Sequence, residues 1–74
     1  MKCYYSDKKR EGLAQRLYDV RILKNYTQKY FAEIMKVSRS SVAKWETGSM
    51  QPTLDMIIQI ARFYNVTTDY FLQV

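Results

Sequence analysis

A chain of 74 residues, 47% apolar and 26% charged, has room for one small folded domain and is too hydrophobic for a disordered tail. Two glycines and one proline are too few for a loop-rich β-sandwich, Cys3 alone excludes an internal disulfide, and the lack of histidine removes Cys/His zinc sites and both Ser-His-Asp and Cys-His catalysis. Twelve Lys and Arg against seven Asp and Glu give +5, and the excess is uneven: the first 50 residues carry a net +6 and the remainder a net −1, so one end is suited to meet an anion. No metal, cofactor or enzymatic step is expected, since the seven carboxylates form no sequence pair suited to acid/base work. The start, Met1-Lys2-Cys3-Tyr4-Tyr5-Ser6-Asp7-Lys8-Lys9, has no apolar stretch of the signal-peptide kind, and Met56-Ile57-Ile58 is far too short to span a bilayer, so the chain is expected in the cytoplasm.

The spacing predicts an all-α fold of five helices, preceded by a flexible arm over residues 1–6 and occupying residues 7–74. Leu13, Leu17 and Val20 recur at i, i+4 and i+7 and lay one apolar stripe along a first helix over residues 7–25, which Asn25 can end in the left-handed conformation. Thr27 offers a hydroxyl to cap a second, short helix over residues 28–35. Only Lys36 and Val37 separate it from Ser38, the cap of a third helix running to about Thr47, where Gly48 stops it. The loop Ser49-Met50-Gln51-Pro52 leads to Thr53, which caps a fourth helix with Asp55 in its first turn and Leu54, Ile57, Ile58, Ile60, Ala61 and Tyr64 as its apolar side. Asn65 ends that helix, Val66 turns inward, and Thr67 caps a short fifth helix anchored by Tyr70, Phe71 and Leu72.

Two short helices joined by a two-residue turn form a helix-turn-helix, in which the first helix crosses the phosphate backbone and the second enters the major groove. The interior positions have sizes suited to that crossing: small Ala32 at the closest approach, with Met35, Val37 and Val42 closing the space beneath. Thr27-Gln28, Phe31-Ala32, Met35, Val37-Ser38, Val42, Trp45-Glu46, Gly48, Pro52-Thr53-Leu54, Ile60-Ala61, Val66-Thr67 and Asp69 follow the order and spacing of one family. The chain resembles the phage-repressor, or Cro/Xre, type of helix-turn-helix DNA-binding domain over about residues 10–72, with a five-helix lambda-repressor-like fold implied. It departs from that pattern at Lys36, where the family has a turn glycine, and at Tyr30 and Ile34, where it carries polar residues; these two are either a variant core or a protein-contact patch.

Placement on the third helix puts Arg39, Ser40, Ala43 and Lys44 opposite Val42, where they can reach base edges as the matching positions do in the family. Arg39, near the helix N-terminus, can satisfy O6 and N7 of one guanine with its fork. Ser38 and Ser41 are candidates for phosphate or base contacts; Lys29, Thr47 and Ser49 are candidates for phosphate contacts, and Gln28 resembles the family's phosphate-binding glutamine. Arg21 and Glu46 match a pair that the family uses structurally, and the resemblance implies a partly buried ion pair between the first and third helices. Trp45 is expected to pack rather than stack on bases. The Lys8-Lys9-Arg10 run is either a groove-following arm or a solvated cluster.

The resulting expectation is a transcriptional regulator, a repressor in the first instance, that binds double-stranded DNA as a homodimer. Its dimer surface is expected around residues 68–74 and the fourth helix, by resemblance. The competing expectation is an antitoxin or protein-interaction module that holds a partner protein through Tyr30, Ile34 and the Tyr4-Tyr5 arm.

Overall fold

The computed structural model describes the backbone of residues 4–72 and the side chains of residues 12–72. Five helices follow in order, α1 (Tyr4–Leu23), α2 (Gln28–Met35), α3 (Arg39–Thr47), α4 (Leu54–Tyr64) and α5 (Thr68–Leu72), with no strand among the described residues. The five-helix, all-α expectation therefore holds. One boundary differs: α1 begins at Tyr4, so residues 4–6, expected in a flexible arm, are helical. Nothing in Tyr4-Tyr5-Ser6 breaks a helix, so the sequence does not force the boundary at residue 7. Residues 1–3 lie outside the described residues.

Local chemistry fixes the starts of α2, α3 and α4. Thr27 Oγ1 accepts from the Tyr30 N–H at 3.0 Å, Ser38 Oγ from the Ser41 N–H at 3.0 Å and Thr53 Oγ1 from the Met56 N–H at 3.1 Å, each satisfying an N–H that the helix itself leaves without a partner. Three ends share one geometry. Asn25, Lys36 and Asn65 are left-handed at φ 62°, 61° and 60°, and the residue after each, Tyr26, Val37 or Val66, donates its N–H back to Arg21, Ala32 or Ala61. That following residue is apolar in all three cases and packs against the core. Gly48, at φ 86°, ends α3 with one bond from its N–H to the Lys44 carbonyl at 3.0 Å.

The core gathers Leu13, Leu17 and Val20 of α1, Phe31 and Ala32 of α2, Val42 and Trp45 of α3, Ile57, Ile60, Ala61 and Tyr64 of α4 and Phe71 of α5. Val42 and Ile60 have no exposed surface, and the Phe31 and Tyr64 rings stack with centroids 5.3 Å apart. α1 packs against α3 and α5, α3 against α2, and α5 against α4. Ala32 is buried at the crossing as its size predicts, and Met35 and Val37 close the space beside it. Leu54, placed in the apolar side of the fourth helix by its spacing, is instead 62% exposed. It is the first residue of α4, one turn before Ile57, where the helix has not yet met the core.

Candidate nucleic-acid interface

The position of α3 depends on one buried polar junction. Arg21 on α1 grips Glu46 on α3 with two bonds, Nε to Oε2 at 2.7 Å and Nη2 to Oε1 at 2.9 Å, and its Nη1 donates to the Tyr26 carbonyl at 2.7 Å. Both side chains are more than nine-tenths buried. The hydrogen bond to Glu46 holds the guanidinium above its ordinary range and outweighs the opposing effect of burial. Gln28, the first residue of α2, adds a third donor, Nε2 to Glu46 Oε1 at 3.1 Å. The expected Arg21 and Glu46 ion pair thus exists, and it joins three helices rather than two. The Gln28 link was not legible in the sequence; its only signal was an amide at a helix start in a fold with a buried carboxylate to satisfy.

Tyr64 lies beside this junction. Its ring is buried and its hydroxyl has no hydrogen-bond partner among the described residues. Burial pushes the phenol well above its ordinary value of 10.0, and the nearby Glu46 charge pushes the same way against Arg21.

With its inner side anchored by Val42, Trp45 and Glu46, α3 turns Arg39, Ser40 and Lys44 to solvent, while Ala43 is half-buried. These are the four residues placed there by spacing, and Arg39 and Lys44 form no ion pair among the described residues. Trp45 is buried, as expected for a packing residue. Lys29, on the first turn of α2, is also exposed. The first-turn N–H groups of α2 at Gln28 and Lys29, and of α3 at Arg39 and Ser40, have no acceptor among the described residues.

The hydroxyls are less free than the cations. A phosphate oxygen only accepts, so a hydroxyl must bring its own hydrogen. Ser38 Oγ donates to Ser41 Oγ at 3.0 Å, Thr47 Oγ1 donates to the Lys44 carbonyl at 3.2 Å, and Ser49 Oγ lies 3.2 Å from Thr47 Oγ1 and 3.5 Å from the same carbonyl. Ser41 alone of the four keeps a hydroxyl hydrogen with no acceptor among the described residues; Ser38, Thr47 and Ser49 must exchange an internal bond for an external one. Gln28 likewise has one amide hydrogen on Glu46 and the other to offer.

Away from this face, the apolar residues of α5 anchor it to the core as their spacing predicts. Phe71 is 1% exposed, Tyr70 and Leu72 pack against the same cluster, and residues 73–74 lie outside the described residues. Among the described residues, the exposed large apolar side chains are Tyr18, Ile22 and Leu23 on α1, Tyr30 and Ile34 on α2, Met50 in the loop and Leu54 on α4. Tyr30 rests its ring on Tyr26 at 4.9 Å and remains 44% exposed, so it is at most a partial core residue. The side chains of Tyr4, Tyr5, Lys8, Lys9 and Arg10 lie outside the described ones.

A family model described as helix-turn-helix matches residues 17–71. The chain is 38% identical over 58 residues to the HTH-type transcriptional activator BcrR of Enterococcus faecalis, covering 78% of this chain and 28% of that protein. It is 33% identical over 61 residues to the HTH-type transcriptional regulator ImmR of Bacillus subtilis strain 168, covering 82% and 48%, and 30% identical over 57 residues to AnsR of the same organism, covering 77% and 49%. The chain therefore spans between about a quarter and a half of the length of these relatives. The buried α1–α3 junction, the short turn at Lys36 and Val37, and this agreement over most of the chain lead to one conclusion: the protein belongs to the helix-turn-helix family of DNA-binding transcriptional regulators, of the phage-repressor or Cro/Xre type.

Proposed function

We propose that this chain regulates transcription by binding a specific sequence in double-stranded DNA, with α3 in the major groove. The observation that carries the reading is the two-sidedness of α3: Val42, Trp45 and Glu46 are fixed inward while Arg39, Ser40 and Lys44 face solvent. Arg39 and Lys44 read base edges with Ser40 and Ala43 beside them; Lys29, Gln28, Ser41 and the open N–H groups of the first turns hold phosphates, with Ser38, Thr47 and Ser49 joining by exchange of internal bonds. Repression needs only that the bound chain cover its site.

Nine residues of helix span about 14 Å, enough for roughly four base pairs. Useful specificity therefore calls for a two-fold dimer on half-sites about 34 Å apart. The test is selection of bound sequences from a random duplex pool, with wild type and Arg39→Ala in parallel. Wild type is expected to enrich a two-fold motif and Arg39→Ala to lose preference at one position of each half-site. An unchanged motif removes Arg39 as a reader, and affinity independent of salt refutes DNA binding through the charged face.

Exposed Tyr30 and Ile34, one turn apart on α2, favour a second activity, holding a partner protein. A stoichiometric partner that co-purifies with wild type and is lost from Tyr30→Ser/Ile34→Ser supports it; retention by the double variant refutes it.

A further inference from the structure

Of the three helix ends closed by a non-glycine residue in the left-handed region, two use asparagine, whose short side chain tolerates that conformation; the third uses Lys36, at φ 61° and ψ 41°. All three ends make the same pair of back-bonds, so the turn gains nothing from lysine that Asn25 and Asn65 do not already supply. The chain also possesses the unstrained solution, since α3 ends on Gly48. Lysine has therefore been placed, against its conformational preference, at the one left-handed position that lies between the two helices of the helix-turn-helix.

Its side chain is exposed and forms no ion pair among the described residues, although exposed Glu33 lies one turn earlier on α2. Between Thr27 and Met50, Lys29, Lys36, Arg39 and Lys44 face two carboxylates, and one of those, Glu46, is already held by Arg21. Lys36 is three residues before Arg39, so their Cα atoms are at most about 11 Å apart. The major groove is about 12 Å wide, so a cation this close to a base-reading residue lies alongside one of the phosphate strands that border the groove.

We infer that Lys36 is a phosphate-binding residue of the DNA complex, held at the turn at a cost to the folding of the free protein. The inference rests on the DNA-binding reading above. Lys36 neutralises one phosphate and leaves base preference alone. By counterion release one such contact contributes about 0.9 to the slope of log affinity against log salt, equivalent to about eightfold in affinity at 0.1 M salt.

The experiment measures binding to a random-sequence duplex between 0.05 and about 0.5 M salt, a range spanning weak to strong screening, for wild type, Lys36→Gly, Lys36→Asn and Lys36→Arg, with Tm read for each. Lys36→Gly and Lys36→Asn are expected to keep or raise Tm, to flatten the slope by about 0.9 and to bind about eightfold more weakly at 0.1 M salt, while Lys36→Arg keeps the wild-type slope. A wild-type slope in either neutral variant overturns the phosphate contact, and a lowered Tm in both overturns the strain argument. Absence of salt-dependent binding by wild type itself refutes the DNA-binding reading instead, so the two failures are distinguishable.

Discussion

Arg21→Met removes the donor of the buried junction while keeping its length and apolar stem, and its consequence follows from what remains around Glu46. The carboxylate loses both guanidinium bonds and keeps only the Gln28 amide, in a site where it is about 5% exposed. A stranded buried charge of this kind costs about 3 to 5 kcal/mol, and a domain of this size has a total stability of roughly the same amount. Arg21→Met is therefore expected to hold folded and unfolded chains in comparable amounts at 25 °C by far-UV circular dichroism and to refold in a stabilising osmolyte. The double variant Arg21→Met/Glu46→Leu strands no charge. It loses the Nη1 bond to the Tyr26 carbonyl and leaves the Gln28 amide without Glu46, so it is expected about 1 to 2 kcal/mol below wild type in urea titrations. An Arg21→Met protein within about 1 kcal/mol of wild type, or a double variant as unstable as the single one, would refute the junction as the element that locks α3 to α1.

Two further substitutions separate stability from binding and from ionisation. Ser38→Asp keeps a capping oxygen for the Ser41 N–H and adds a favourable charge at the helix start, so urea stability should hold or rise by up to about 1 kcal/mol; the same charge repels phosphate, and affinity for a duplex should fall. Unchanged affinity would place the start of α3 away from the DNA. Tyr64→Phe removes a buried hydroxyl that has no partner and is expected to leave stability at pH 7 unchanged or raised by about 1 kcal/mol. Because the folded phenol sits above its unfolded value of 10.0, the stability it protects is present below pH 10 and is lost as pH rises beyond it, when the unfolded chain ionises first. Tyr64→Phe should lack that alkaline component, and identical alkaline unfolding of both proteins would refute it.

Most of the architecture was legible because short-range chemistry sets it. Thr27, Ser38 and Thr53 act as caps and Asn25, Gly48 and Asn65 as left-handed ends where their types and spacing place them, while Lys36 takes the same left-handed conformation against its type. The junction between Arg21 and Glu46 was legible only by resemblance, since 25 residues separate its partners and no local periodicity joins them. Periodicity misled at Leu54, which has the right phase but no neighbour to cover it, whereas the apolar anchors of α5 pack as their spacing places them. The hydroxyls of Thr47 and Ser49 were read as outward groups; a sequence does not show that a helix-end carbonyl will recruit them first.

The repeated left-handed closures at Asn25, Lys36 and Asn65 also bear on how the chain reaches its native state. Each is completed by residues within six positions of one another, so helix lengths and turn directions are specified before any distant segments meet. The kinetic barrier then falls to the few joints that span the chain, α1 against α3 and α1 against α5. A protein of such low contact order belongs among the microsecond-to-millisecond folders, so its exposure to a protease is set by its equilibrium margin rather than by its rate of unfolding.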